Sequence, residues 1–174
     1  MILSVDKAKA LISFPNWSDE KIEMKLKAVE QTIRAYTNNN FQDRDYRRTA
    51  DIIGGLFLVE ALTPFDIGDT VQISETRLNK GLFTVASADD STFTVEETVK
   101  DERDVLVTKV VYPADVIDCC VNLMEWEVNN RGKVGIKSET LSRHSVTYED
   151  SASMFMGYPA SLLGCLKPYR KARC

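Results

Sequence analysis

Two stretches with the apolar spacing of a helix lie far apart in this 174-residue sequence, and a β-rich segment separates them. In the first stretch the apolar residues alternate by four and three positions: Ile22, Leu26, Val29, Ile33 and Tyr36. This spacing places them on one helix face. The second stretch covers residues 114–130. The order predicts a helical domain of residues 1–46 plus 113–174, into which a β module of residues 47–112 is inserted.

Residues that favour the start or the end of a helix lie at the ends of the predicted helices. Ser4 and Ser18 precede helical patterns and predict N-caps, because a serine oxygen accepts a hydrogen bond from a first-turn amide. The first helix should stop before Pro15, and the second at the three asparagines of residues 38–40. Pro113 stands where the last long helix should begin. We also expect a short helix opened by Pro159.

Short β-rich runs separated by turn-forming residues fill the middle of the chain: 56–61, 70–74, 82–86, 92–95 and 105–111. Five strands at this spacing predict a small closed barrel, because closure leaves no exposed edge. The segment 65–73 is typical of SH3-like barrels and directs Val71 and Ile73 inward. The predicted fold class is α+β: a small α-helical core, a C-terminal β-arm and an inserted five-stranded SH3-like or OB-like barrel.

Composition favours a folded protein that does not coat nucleic acid. Charged residues make up 28% of the chain and the net charge is −4. No apolar run reaches the roughly 20 residues that span a bilayer, and the N-terminus has no signal-peptide layout. We therefore expect no membrane partner, and a protein made in the cytosol of its host and kept there until assembly.

The cysteines give no sign of a metal site. Cys119, Cys120, Cys165 and Cys174 form no CxxC pair, and His144 is the sole histidine, whereas zinc needs about four convergent ligands. We expect buried, reduced thiols, with Cys174 exposed on a tail.

Catalytic patterns are missing from the sequence. His144 would have to serve as general base, but it lies in a mostly polar strand pattern, which indicates a surface or interface residue. The glycines match no phosphate-binding loop. Asp89 and Asp90 predict a hairpin turn, and the acidic residues of 96–104 predict a solvated loop rim. This acidic rim counts against DNA binding by the barrel.

Two C-terminal segments are candidates for interaction. The tail, residues 167–173, combines basic side chains with Pro168, which stiffens the chain and lowers the entropy lost on docking. Tyrosine and arginine are also enriched in interface hot spots. The arm, residues 134–148, is spaced like a strand or a hairpin with a polar break at 142–145. It either closes the helical core or pairs with an edge of another copy.

Six short sequences in the helical part occur in an order that resembles the head–tail connector proteins (adaptor or head-completion proteins) of long-tailed phages and prophages. They are Thr37-Asn-Asn-Asn-Phe41, Val110-Val-Tyr-Pro-Ala-Asp115, Gly135-Ile-Lys-Ser-Glu139, Ser145-Val-Thr-Tyr148, Gly157-Tyr-Pro-Ala-Ser-Leu-Leu163 and Leu166-Lys-Pro-Tyr-Arg170. The resemblance covers the whole helical part. Shorter relatives pass more directly between the two helices, so the barrel is a departure from the family.

The resemblance implies a structural virion protein without a cofactor. Its partners would be the portal protein, neighbouring copies in a ring of about twelve, and a tail-side connector or tail terminator, with DNA passing through the ring without sequence-specific binding. The implied location is the head–tail junction of the virion. The implied interface residues lie in the arm and the tail: Ile136, Lys137, Glu139, Arg143, His144, Tyr148, Lys167, Tyr169, Arg170 and Arg173.

Two other functions remain as alternatives. A nucleic-acid-binding barrel anchored by the basic tail would bind DNA with an affinity that falls steeply with salt. It would need stacking aromatics, yet the alternation of Phe57, Phe65, Phe83 and Phe93 suits the barrel interior. An enzyme would need a nucleophile, a base and an orienting group that converge, and the sequence offers no such set.

Overall fold

The computed structural model of the chain describes residues 1–130, 138–141, 144–147 and 154–172, the two short ranges by their backbone. The chain divides into two compact units. One consists of residues 40–112 together with Met1, and the other of residues 2–39 and 113–174.

The described residues of the second unit include three α-helices: α1 (Val5–Leu11), α2 (Asp19–Thr37) and α3 (Ala114–Asn130). The predicted caps are confirmed: the Ser4 and Ser18 hydroxyls accept hydrogen bonds from the amides of Lys7 and Lys21, both at 3.3 Å. Asn38 ends α2 in the left-handed conformation, with φ 48°. An asparagine tolerates that conformation better than most residues.

The apolar stripe of α2 forms the centre of the helical unit. Ile22, Leu26, Val29 and Ile33 are fully buried. They pack with the apolar face of α3, which includes Leu123 and Met124. No helix in the described part of the chain is long and apolar enough to cross a membrane.

The C-terminal segment contains two hairpins and a 3-10 helix. Strands β7 (Ser138–Leu141) and β8 (His144–Thr147) pair antiparallel, and so do the two-residue strands β9 (Met154–Phe155) and β10 (Tyr158–Pro159). The 3-10 helix covers Gly164–Tyr169.

The prediction of a helix opened by Pro159 is wrong. Pro159 ends β10, and a turn closed by the Leu162 amide on the Pro159 carbonyl at 3.1 Å follows it. Helical structure begins only at Gly164 and is of the 3-10 type. Gly164 and Pro168 explain this, because glycine lowers helix propensity and an interior proline prevents a regular α-helix.

The first unit is a closed antiparallel barrel with six strands, all within the range 1–130 that is described without a gap. They are β1 (Gln42–Ile53), β2 (Leu56–Val59), β3 (Thr70–Ser74), β4 (Gly81–Ala88), β5 (Thr92–Val95) and β6 (Glu102–Val110). The order around the barrel is β1-β2-β5-β4-β3-β6. An α+β fold with a barrel is therefore confirmed.

The predicted number of five strands is wrong because β1 was missed. Its first half is charged and largely exposed, and alternation of buried residues begins only at Ala50. The pairing of β1 with β6 also shifts between Asp43 and Arg47 and between Ala50 and Ile52. Such bulges interrupt the period of two on which a strand prediction depends.

Aromatic and aliphatic side chains fill the barrel, as their alternation predicted. Val71 and Ile73 are fully buried. The rings of Phe57 and Phe93 stack with centroids 4.4 Å apart, and Phe65 meets Phe93 edge-on at 5.1 Å. Phe83 is only partly buried and packs against this core.

Glu102 organises the loop between β3 and β4, so the prediction of a solvated acidic rim is wrong for this residue. Its carboxylate accepts hydrogen bonds from the Thr76 hydroxyl, the Arg77 amide at 2.6 Å and the Leu78 amide at 3.2 Å. The side-chain amide of Asn79 donates to Glu102 at 2.9 Å and to the Lys100 carbonyl at 2.8 Å. The hydrogen bond from Thr76 makes the largest contribution to lowering the pKa of Glu102, and the amide of Arg77 adds to it.

The lowered pKa of Glu102 predicts a pH-dependent loss of stability. A carboxyl group whose pKa is depressed by folding stabilises the fold above its unfolded pKa, and this contribution disappears as pH falls through the folded pKa. Glu102→Gln should be less stable than the parent chain at neutral pH, and the two should converge as pH falls below the ordinary glutamate pKa of about 4.3 and through the lowered folded pKa. Urea unfolding followed by circular dichroism at several pH values measures this. Glu60→Gln, at an exposed position, is the control; equal pH profiles for the parent chain and Glu102→Gln would contradict the assignment.

Candidate protein-interaction surfaces

The C-terminal tail is packed onto the helical unit from which it emerges. Leu166 is fully buried. The Tyr169 hydroxyl donates to the Asp115 carboxylate at 2.7 Å, and this hydrogen bond is the main reason that the pKa of Tyr169 is raised. The side-chain amide of Asn39 donates to the Tyr169 carbonyl at 3.3 Å. The 3-10 helix is therefore held between the C-terminal end of α2 and the first turn of α3.

The segment after the 3-10 helix is also held on the helical unit. The Lys171 amide donates to the Thr37 carbonyl at 2.8 Å, and the Asn38 side chain donates to the Ala172 carbonyl at 2.9 Å. The Arg170 guanidinium lies 5.3 Å from the ring centroid of Tyr36. Up to Ala172, the tail is therefore held in place by contacts within the helical unit.

The docked tail leaves a short cationic surface in solvent. We call it the tail surface: the exposed residues Lys167, Arg170 and Lys171. Tyr169 is half-buried and its hydroxyl donates to Asp115. It is therefore less available for contact with a partner protein than the enrichment of tyrosine in interfaces suggested. Arg173 lies outside the described residues.

The predicted arm contains a β-hairpin. Glu139 pairs with Val146, and His144 pairs with Leu141 next to the two-residue connection 142–143. No third strand pairs with β7 or β8 among the described residues. Each strand therefore has one edge without a strand neighbour in that part of the chain, as the edge-pairing hypothesis requires. Four other predicted arm residues lie outside the described residues: Ile136, Lys137, Arg143 and Tyr148.

The barrel carries an open groove that sequence reasoning missed. Its volume is ≈ 820 Å³, and two loops line it: Leu62, Thr63, Phe65, Asp66 and Ile67 on one side, and Ala88, Asp89, Asp90 and Ser91 on the other. Leu62 and Ile67 are 71% and 72% exposed. They stand singly in a loop, so no periodic pattern marks them. The result is an apolar groove with an acidic rim.

The groove is built on the predicted hairpin turn at Asp89 and Asp90. The Asp89 amide donates to the Thr92 carbonyl at 2.8 Å, and the Thr63 amide donates to the Asp90 carbonyl at 2.8 Å. Asp66 lies 3.9 Å from the Lys109 ammonium, which pairs more closely with Asp69 at 2.5 Å. The carboxylates of Asp66, Asp89 and Asp90 place negative charge around the groove, and the Arg48 guanidinium lies beside it, donating to the Leu62 carbonyl at 3.4 Å.

A buried ionic network joins three elements of the helical unit. The Glu127 carboxylate is 2% exposed, pairs with Lys25 Nζ at 3.2 Å and accepts a hydrogen bond from the Tyr158 hydroxyl at 2.7 Å. Trp126 packs edge-on against Tyr158 with centroids 5.4 Å apart. The network connects α2, α3 and β10, and its enclosed position favours a structural role.

The cysteine prediction is confirmed for two residues and wrong for one. Cys119 and Cys120 are buried, whereas Cys165 is exposed on the 3-10 helix beside the buried Leu166. Burial raises the pKa of Cys120 to about 12 and is also the main cause that raises the pKa of Cys119. Cys174 lies outside the described residues.

The described residues contain no cluster of three or more His, Cys, Asp or Glu side chains that could hold a metal ion. A comparison of the sequence with protein-family models and with curated proteins finds no match.

Proposed function

We propose that this chain is a structural subunit of a phage or prophage head–tail connector. In this proposal its copies form a ring under the portal protein at the capsid vertex, extend the DNA channel and present a surface to a tail-side connector or tail terminator. The docked cationic tail is the observation that carries the proposal. The resemblance of the sequence to connector proteins gives the class of partner.

The tail surface suits recognition of a protein partner because it is already positioned. Hydrogen bonds to Thr37, Asn38, Asn39 and Asp115 hold the backbone and Tyr169 in place. A surface held in its bound shape loses less conformational entropy on association. Three cations on such a surface fit an acidic patch of a portal protein or of a neighbouring copy.

The hairpin β7–β8 supplies a second kind of contact. Backbone amides and carbonyls on a strand edge can pair with an edge of another copy, whatever the side chains are. A ring repeats one heterologous interface until it closes, so each copy needs two complementary patches. We assign the tail surface to the portal or a neighbour and the hairpin, with Glu139 and His144, to contacts between copies.

The barrel, which we interpret as an SH3-like or OB-like module with a sixth strand, belongs on the outside of the ring in this proposal. Its groove carries Asp66, Asp89 and Asp90, and their charge would repel DNA in the channel. The alternative of a nucleic-acid-binding barrel is not favoured: Phe57, Phe65 and Phe93 are buried and cannot stack on bases.

Binding to the portal protein encoded by the same phage tests the role of the tail surface. The triple variant Lys167→Ala, Arg170→Ala, Lys171→Ala should bind immobilised portal at least tenfold more weakly, because it removes three charges from one positioned surface. Surface plasmon resonance at two salt concentrations measures the affinity and its salt dependence.

The matched control removes the same net charge elsewhere, at the exposed residues Lys7, Arg77 and Lys80. It should bind portal like the parent chain. If both triple variants lose the same affinity for portal, net charge alone would explain the loss. Unchanged portal binding by the tail variant would contradict the proposed role of the tail surface.

A further inference from the structure

Two thiols of the helical unit meet at one backbone oxygen. Cys119 lies on α3 and Cys165 on the 3-10 helix, and each Sγ donates a hydrogen bond to the Leu162 carbonyl at 3.4 Å. The two sulfurs are therefore separated by less than twice that distance. Residues far apart in sequence thus bring two thiols to the same carbonyl oxygen.

The two thiols differ in access. Cys165 is exposed, whereas Cys119 is 1% exposed. Oxidants in solution reach Cys165 first, because reactivity of a thiol follows its exposure and its thiolate fraction. Burial and the neighbouring Cys165 raise the pKa of Cys119, so Cys119 is protected from direct oxidation.

We propose that Cys119 and Cys165 form a redox-dependent disulfide that fastens the C-terminal tail to α3. This inference does not depend on the proposed function. The oxidant is of the hydrogen peroxide class. The Cys165 thiolate attacks one peroxide oxygen, the O–O bond breaks, and a sulfenic acid and hydroxide result. Cys119 sulfur then attacks the Cys165 sulfur; the S–O bond breaks and water leaves with the Cys119 proton. In total two thiols and one peroxide give one disulfide and two waters.

Bond formation requires the two sulfurs to leave the Leu162 carbonyl and approach each other. A disulfide needs an S–S distance of about 2.0 Å and Cα atoms about 4.4–6.8 Å apart. The exposed Cys165 side chain can rotate toward Cys119 by leaving its hydrogen bond to Leu162. The closed covalent loop then spans residues 119–165 and contains the hairpin β7–β8. Closing a loop in this way restricts the unfolded chain and stabilises the folded one.

The test uses the full chain with Cys120→Ala and Cys174→Ser, because Cys120 would share a tryptic peptide with Cys119. Hydrogen peroxide treatment should remove two hydrogens from the intact mass and join the peptide containing Cys119 to the one containing Cys165. Both cysteines should then resist alkylation after denaturation until a reductant is added. The melting temperature should rise by roughly 5 °C or more over the reduced form.

Cys165→Ala is the control. The Cys165 side chain is exposed, so its replacement by alanine should not impair folding. In that variant Cys119 should stay alkylatable, and peroxide should leave the melting temperature unchanged. Three results would overturn the inference: further oxidation of Cys165 with Cys119 still free, a dimer linked through Cys165, or an intramolecular bond that gives no rise in melting temperature.

Discussion

Replacement of Phe93 by alanine is expected to lower the stability of the barrel by about 3–5 kcal/mol, the largest effect of any substitution considered for this unit. Phe93 is 1% exposed and lies between Phe57 and Phe65, with ring centroids 4.4 and 5.1 Å away. Truncation removes the buried ring and both aromatic contacts, and leaves a cavity that a closed barrel cannot easily fill.

Because of where the tryptophans lie, the loss of barrel stability has to be measured by a method other than tryptophan fluorescence. Trp17 and Trp126, the two tryptophans of the chain, both lie in the helical unit, so their fluorescence does not report on the barrel directly. Hydrogen exchange by mass spectrometry on peptides from residues 42–110 measures barrel opening, and urea unfolding followed by circular dichroism gives the free energy.

Phe83→Ala is the graded control, because Phe83 is only partly buried against the same core. It should lower the free energy of unfolding by clearly less than Phe93→Ala does. Equal losses at the two positions would show that the aromatic cluster around Phe93 is not the centre of the barrel core.

Lys25→Met is the second substitution with a large expected effect, about 2–3 kcal/mol in the helical unit. It removes the cation that pairs with the buried carboxylate of Glu127 at 3.2 Å. Breaking a buried pair is costly because the remaining charge keeps its desolvation penalty. This value is below the usual range of about 3–5 kcal/mol because the Lys25 side chain is 29% exposed.

A second substitution separates charge from packing. In the Lys25→Met background, Glu127→Gln removes the negative charge of the buried carboxylate while keeping an oxygen that accepts the Tyr158 hydroxyl. The double variant should recover most of the lost stability. Urea unfolding followed by Trp126 fluorescence is suited to this, because that ring packs against Tyr158. A double variant that is no more stable than Lys25→Met would rule out the ionic network as the cause.

The parts of the fold that the sequence predicted well are those controlled by local signals. The stripe from Ile22 to Ile33 and the serine caps depend on residues within one or two turns of the same helix. The arm was predicted to be either a strand or a hairpin, and β7 and β8 pair as a hairpin. Each of these signals is complete within about twenty residues.

The parts that were missed depend on residues far apart in the chain. Strand β1 is charged in its first half and becomes a strand by pairing with β2 and β6, while its bulges hide the alternation. Glu127 is a charged residue on α3, and its burial depends on Lys25 and Tyr158. Tertiary pairing of this kind overrides local propensity.

The candidate surfaces were predicted only in outline. The basic composition of the tail was evident, but its docking depends on Thr37, Asn39 and Asp115, which no local pattern connects with it. The groove depends on two loops that the barrel brings together, so its exposed Leu62 and Ile67 had no pattern to reveal them.

Electron microscopy of the chain mixed with a phage portal protein encoded in the same genome tests the connector proposal most directly. By itself the chain should sediment as a monomer or small oligomer. With portal, it should form a closed ring beneath the portal, with the barrel on the outer surface and the tail surface at an interface. A chain that remains unbound to portal, an obligate tight dimer in solution, or a ring in which the barrel lines the channel would contradict the account.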